Sequence, residues 1–72
     1  MTEQQMKIIL ALAECDMNRT ATGRKLYMHV NTVCYHLGLI KNQTGLDPLK
    51  FYDLCKLVAI IKDTAWTEKT AS

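Results

Sequence analysis

No stretch of this chain is apolar for long enough to span a bilayer, and the N-terminus lacks a signal-peptide pattern. No membrane partner is therefore expected. Proline occurs once and glycine three times in 72 residues, which leaves room for long helices. The three cysteines are an odd number with no close pair in sequence, which argues against a disulfide framework and points to a reducing cytoplasm. There is no C-x-x-C pair either. Cys34 and His36 lie two apart on a helix, roughly 200 degrees around its axis, so they cannot converge on a metal. Cys15, Cys34 and Cys55 are read instead as small core or half-buried residues. A Gly-rich phosphate loop is also missing, and so short a chain has no room for a concave pocket with its supporting shell. No enzyme, metal or cofactor is expected. The last absence is of acid: from Met17 to Leu46 there is no aspartate or glutamate.

What is present belongs to one small globular domain. Apolar residues make up 49% of the chain, a normal globular share that rules out disorder of the whole. The length lies near the lower limit at which a hydrophobic core suffices without staples. Net charge is only +2, but its distribution is uneven. The acid-free segment carries Arg19, Arg24, Lys25 and Lys41 with His29 and His36. That is a modest electrostatic footprint for a polyanion.

Start and stop signals divide the chain into four helices. Thr2 followed by Gln5 is a capping-box pattern, so the first helix begins at Glu3, carries Met6, Ile9, Leu10 and Ala13 as its apolar stripe with Ile8 and Leu12 widening it, and ends at Glu14-Cys15-Asp16. The second spans Arg19 to Leu26, entered through Asn18 as N-cap. Tyr27 to Val30 are too few for another element and form a turn. Asn31 is expected to cap the third helix, which covers about residues 32–41. In it Val33, Leu37 and Ile40 recur at i, i+4 and i+7 on a buried face, while Thr32, Tyr35 and Leu39 point outward. Asn42 to Gly45 is a stop signal, with Gly45 suited to the left-handed residue after a helix. Asp47 and Pro48 then read as N-cap and first residue of a last helix, Pro48 to Lys62. Its core stripe is read as Phe51, Leu54, Cys55, Val58 and Ile61, with Leu57 and Ile60 to one side. That broad face is either a thick core contact or a surface for a partner. Residues 1–62 form the domain, and residues 63–72, polar with an isolated Trp66, are read as a flexible tail.

Two short helices joined by a tight turn are the usual way for a very small chain to present one helix to the major groove of DNA. The same residues carry a resemblance. His29-Val30-Asn31-Thr32-Val33-Cys34-Tyr35-His36-Leu37, followed by Thr44-Gly45-Leu46-Asp47 and Pro48 to Val58, resemble the C-terminal helix-turn-helix domain of PucR/CdaR-type bacterial transcriptional regulators. The likeness covers about Met6 to Lys62 and has the general outline of the Fis-like helix-turn-helix. It implies an all-α domain that binds double-stranded DNA, with a larger sensory region upstream in such regulators. Thr32 and Tyr35 would read the groove together with Asn31, and Arg24, Lys25, His29, His36 and Lys41 would contact the backbone. One such domain makes few contacts, so a homodimer on a two-part site is expected. The chain departs from the pattern at four positions. Val30 and His36 stand where the family motif has arginines. Gly23 stands where alanine is usual, at a helix-propensity cost of about 1 kcal/mol. Arg19 takes a place that is often apolar. The loss of both motif arginines, the residue best suited to phosphate and guanine, leaves an alternative: a helix-turn-helix scaffold used for protein contact through Leu57 and Ile60.

Overall fold

The computed structural model describes the backbone of residues 1–71 and the side chains of residues 1–63. Among the described residues there are four helices, α1 (Glu3–Glu14), α2 (Arg19–Leu26), α3 (Val30–Thr44) and α4 (Phe51–Ala71), and no strand. The fold is the all-α arrangement expected. α1 packs against each of the other three helices, and α2 packs against α3.

The first two helices start where their caps dictate. The Thr2 hydroxyl accepts the Gln5 amide at 3.1 Å, and the Gln5 side chain accepts the Thr2 amide at 3.0 Å. Two of the four free donors at the helix start are thereby satisfied reciprocally. Asn18 accepts the Ala21 amide at 3.0 Å and opens α2. Between them the chain reverses through Asp16 and Met17, both at positive φ (54° and 66°). The Met17 amide donates back to Leu12 at 2.8 Å, and its side chain packs on the core.

The turn between α2 and α3 depends on Gly23. Tyr27 ends α2 in the left-handed conformation (φ 56°), and the Met28 amide donates to the Gly23 carbonyl at 2.8 Å. A Cβ on residue 23 would lie 2.6 Å from the Met28 carbonyl oxygen. The glycine that weakens the helix is what lets the turn close upon it.

α3 begins earlier than its sequence suggests. Its N-cap is His29, whose ring Nδ1 accepts the Asn31 amide at 3.1 Å. Asn31, expected to be the cap, is the second residue of the helix. Gly45 closes it at φ 75°, as expected, with its amide donating to Lys41.

α4 departs further. The Asp47 carboxylate accepts the Leu49 amide, and the Asp47 carbonyl accepts that of Lys50, each at 3.0 Å. The Asp47 amide in turn donates to Asp53. These bonds spend Asp47 on a separate turn with Pro48 buried in it, so the helix starts at Phe51 rather than Pro48. It continues to Ala71, past the end expected at Lys62. Trp66, read as part of a polar tail, has a side chain outside the described residues.

The core joins Ile8, Ile9 and Leu12 of α1, Val33, Leu37 and Ile40 of α3, and Leu54, Leu57 and Ile61 of α4. On α4 the buried positions fall at i, i+3 and i+7, so the stripe is rotated from the one expected. Leu57 is fully buried, which removes it from any partner surface. Phe51 and Cys55, assigned to the core by their spacing, are exposed, as is Ile60. Each fully buried leucine or isoleucine stabilises the fold by roughly 1.5–3 kcal/mol. No helix among the described residues is long and apolar enough to cross a membrane.

Candidate nucleic-acid interface

α3 is anchored by its buried face and turns the opposite side outward. Asn31, Tyr35, Gly38 and Asn42 recur at i, i+4, i+7 and i+11 and are all exposed, a narrow polar stripe along one side of the helix. Tyr35 is 64% exposed. Thr32 lies exposed on one shoulder of this stripe and Lys41 on the other. Leu39, expected to point outward, is half-buried. Gly38 meets nothing within 4 Å of where a Cβ would stand, so the middle of the stripe is low and open.

One flank of α3 is a cleft of mixed character, whose walls include Tyr35, His36 and Leu39 of α3, Glu3 and Lys7 of α1, and Lys25 with Tyr27 at the end of α2. His36 is half-buried there. Its ring stands edge-on to Tyr35 with centroids 5.6 Å apart, and its Nδ1 is buried without a hydrogen-bond partner. Tyr27 is 98% exposed. The other flank is a notch lined by Arg19, Cys34, Gly38 and Lys41 together with Asp47 and Leu49.

The acid-free segment is less purely cationic in space than in sequence, because acids outside it fold back. Lys25 donates to Glu14, and Lys41 lies 3.8 Å from Asp47. Beside Lys25 the Glu14 carboxyl is held below the ordinary carboxylate value, and Lys25 is raised above the ordinary lysine value by the same bond. Arg24 is exposed and makes no ion pair among the described residues.

The expected residues are thus unequally placed. Asn31, Thr32, Tyr35 and Lys41 share the outward side of α3. Arg24 and Lys25 stand at the end of α2. His29 is exposed at the head of α3, with its Nδ1 committed to capping. His36 is set back into the cleft wall. Sequence reasoning passed over Arg19, Tyr27, Gly38 and Asn42. Asn42 had a signal, the i+11 position of the outward stripe; Arg19 showed only as one charge of the acid-free segment, because its place beside α3 depends on tertiary packing.

On the far side, the end of α1 and the start of α4 form a separate apolar groove of about 460 Å³, with Ala13, Met17, Phe51, Cys55 and Val58 in its lining and no residue of α2 or α3. No group of histidine, cysteine or acidic side chains that could hold a metal occurs among the described residues. The model of one family, described as the PucR C-terminal helix-turn-helix domain, matches residues 5–62. No curated protein and no solved structure gave a match.

Proposed function

The chain belongs to the family of PucR C-terminal helix-turn-helix domains, and from that premise we propose that it binds double-stranded DNA as part of a bacterial transcriptional regulator acting in the cytoplasm, and not as an enzyme. The observation that carries the reading is the outward stripe of α3: a polar, uncrowded side on a helix whose opposite side is locked into the core. α3 enters the major groove. Asn31, Thr32 and Tyr35 meet base edges or the thymine methyl, and the open centre at Gly38 lets the groove floor approach. A helix with its side chains is roughly 10–12 Å across and the groove roughly 12 Å wide. Groups on both flanks of α3 therefore face the two phosphate walls. Lys25 and Arg24, with His29 and His36, serve one wall, and Lys41 serves the other.

A single α3 reaches too few bases for tight specific binding, so the domain acts as a homodimer on a two-part site, joined to a sensory domain in the intact regulator. The test is a titration of labelled duplex at several salt concentrations. Affinity that falls steeply with salt supports the reading, and binding indifferent to salt refutes it. A second reading, protein contact in place of DNA contact, is favoured by one observation, the apolar groove between α1 and α4 with Phe51 exposed at its edge. Of the two residues expected to carry it, only Ile60 faces outward.

A further inference from the structure

The motif that this chain resembles has two arginines at positions where α3 carries Val30 and His36. The guanidinium of Arg19, at the first position of α2, nevertheless lies against α3: its Nη1 is 3.9 Å from the Cys34 Sγ. Arg19 and Cys34 line one notch with Gly38, Lys41 and the Lys41-paired Asp47, on the flank of α3 opposite Lys25 and Tyr27. Arg19 makes no ion pair among the described residues, whereas Lys7, Lys25 and Lys41 each face a carboxylate. A thiol compensates no charge. The full positive charge is therefore carried at the edge of the outward stripe, beside a glycine that leaves the approach open.

We infer that Arg19 supplies from α2 the phosphate contact that the motif arginines no longer supply, and that the notch of Arg19, Gly38 and Lys41 seats a backbone phosphate of the DNA strand on that side. The inference rests on the DNA-binding reading. A guanidinium keeps its charge and offers a planar fork matched to two phosphate oxygens. Gly38 is the residue that admits the phosphate, since any side chain there would stand between Arg19 and the groove. Lys41 is partly neutralised by Asp47, so it contributes the weaker share.

The test compares the salt dependence of binding to a random duplex for the wild-type chain, Arg19→Gln, Arg19→Lys and, as a control on α4, Lys56→Gln. Arg19→Gln is expected to weaken binding several-fold and to flatten the slope of log affinity against log salt by about one contact. Arg19→Lys should keep the slope while losing part of the affinity. Lys56→Gln should leave the slope unchanged. Wild-type binding with an unaltered Arg19→Gln slope would overturn this inference alone, as would an equal loss from Lys56→Gln, which would reduce the effect to net charge. No salt-dependent binding by the wild type would overturn the DNA reading itself. Arg19 is exposed, so thermal melting of the variants should match the wild type.

Discussion

Replacing Gly23 with alanine should destabilise the domain, although alanine is the better helix former. Residue 23 lies inside α2, where the exchange gains about 1 kcal/mol in helix propensity. Against this, the new Cβ would stand 2.6 Å from the Met28 carbonyl oxygen. That is a backbone atom, not the end of a flexible side chain, and it must retreat by several tenths of an ångström. The Met28 amide is bonded to Gly23 itself, and the His29 cap follows immediately, so the retreat strains the whole turn. Overpacking of this kind costs about 1–3 kcal/mol. The expected net effect is a loss of about 1 kcal/mol, a fall of roughly 4–8 °C in Tm for a domain of this size. Gly38→Ala is the matched control, since it is also inside a helix but meets open space. It should raise stability by roughly 0.5–1 kcal/mol. Urea unfolding followed by circular dichroism measures both. A Gly23→Ala variant as stable as Gly38→Ala would refute the argument that the turn closes on residue 23.

The remaining expectations concern the caps, the core and the ion pair. His29→Ala should cost about 1 kcal/mol of stability through loss of the α3 cap, while Asn31→Ala should cost little; equilibrium unfolding of the two variants distinguishes them. Tyr27→Gly should stabilise the domain by about 1 kcal/mol in the same assay, because a left-handed, fully exposed tyrosine is replaced by the residue suited to that conformation. Leu57→Ala should cost about 2–5 kcal/mol and Ile60→Ala much less, measured by thermal melting, since only Leu57 is buried. Glu14 is lowered by its bond to Lys25. The pair's contribution is accordingly full above the unfolded carboxylate value and is lost as pH falls through the lower folded one. Glu14→Gln should abolish that small acid-side dependence. It should also free Lys25 and tighten binding to random duplex by up to about fivefold, as judged by anisotropy.

How much of this the sequence revealed depends on where the deciding interaction lies. α1 and α2 were legible to the residue because their caps, Thr2 with Gln5 and Asn18, are local and use the usual side chains. The third helix was found but entered wrongly, since a histidine cap is less common than the asparagine two residues later. The last helix was set in the wrong rotation. Phe51 looked like a core residue, and apolar residues on too many sides left the spacing ambiguous. Tertiary packing, which put Leu57 inward and Phe51 and Cys55 outward, resolved it. The outward stripe followed from periodicity through Tyr35 but not through Leu39. The partners of Lys25 and Lys41 lie outside the acid-free segment, so no count within it could show the neutralisation.

The central claim is that the outward side of α3 meets DNA, and anisotropy of a labelled random duplex, titrated with the chain at several salt concentrations, tests it most directly. The account predicts micromolar binding at low salt that weakens steeply and linearly on logarithmic axes as salt rises. No binding even at low salt would contradict it and turn attention to the apolar groove between α1 and α4.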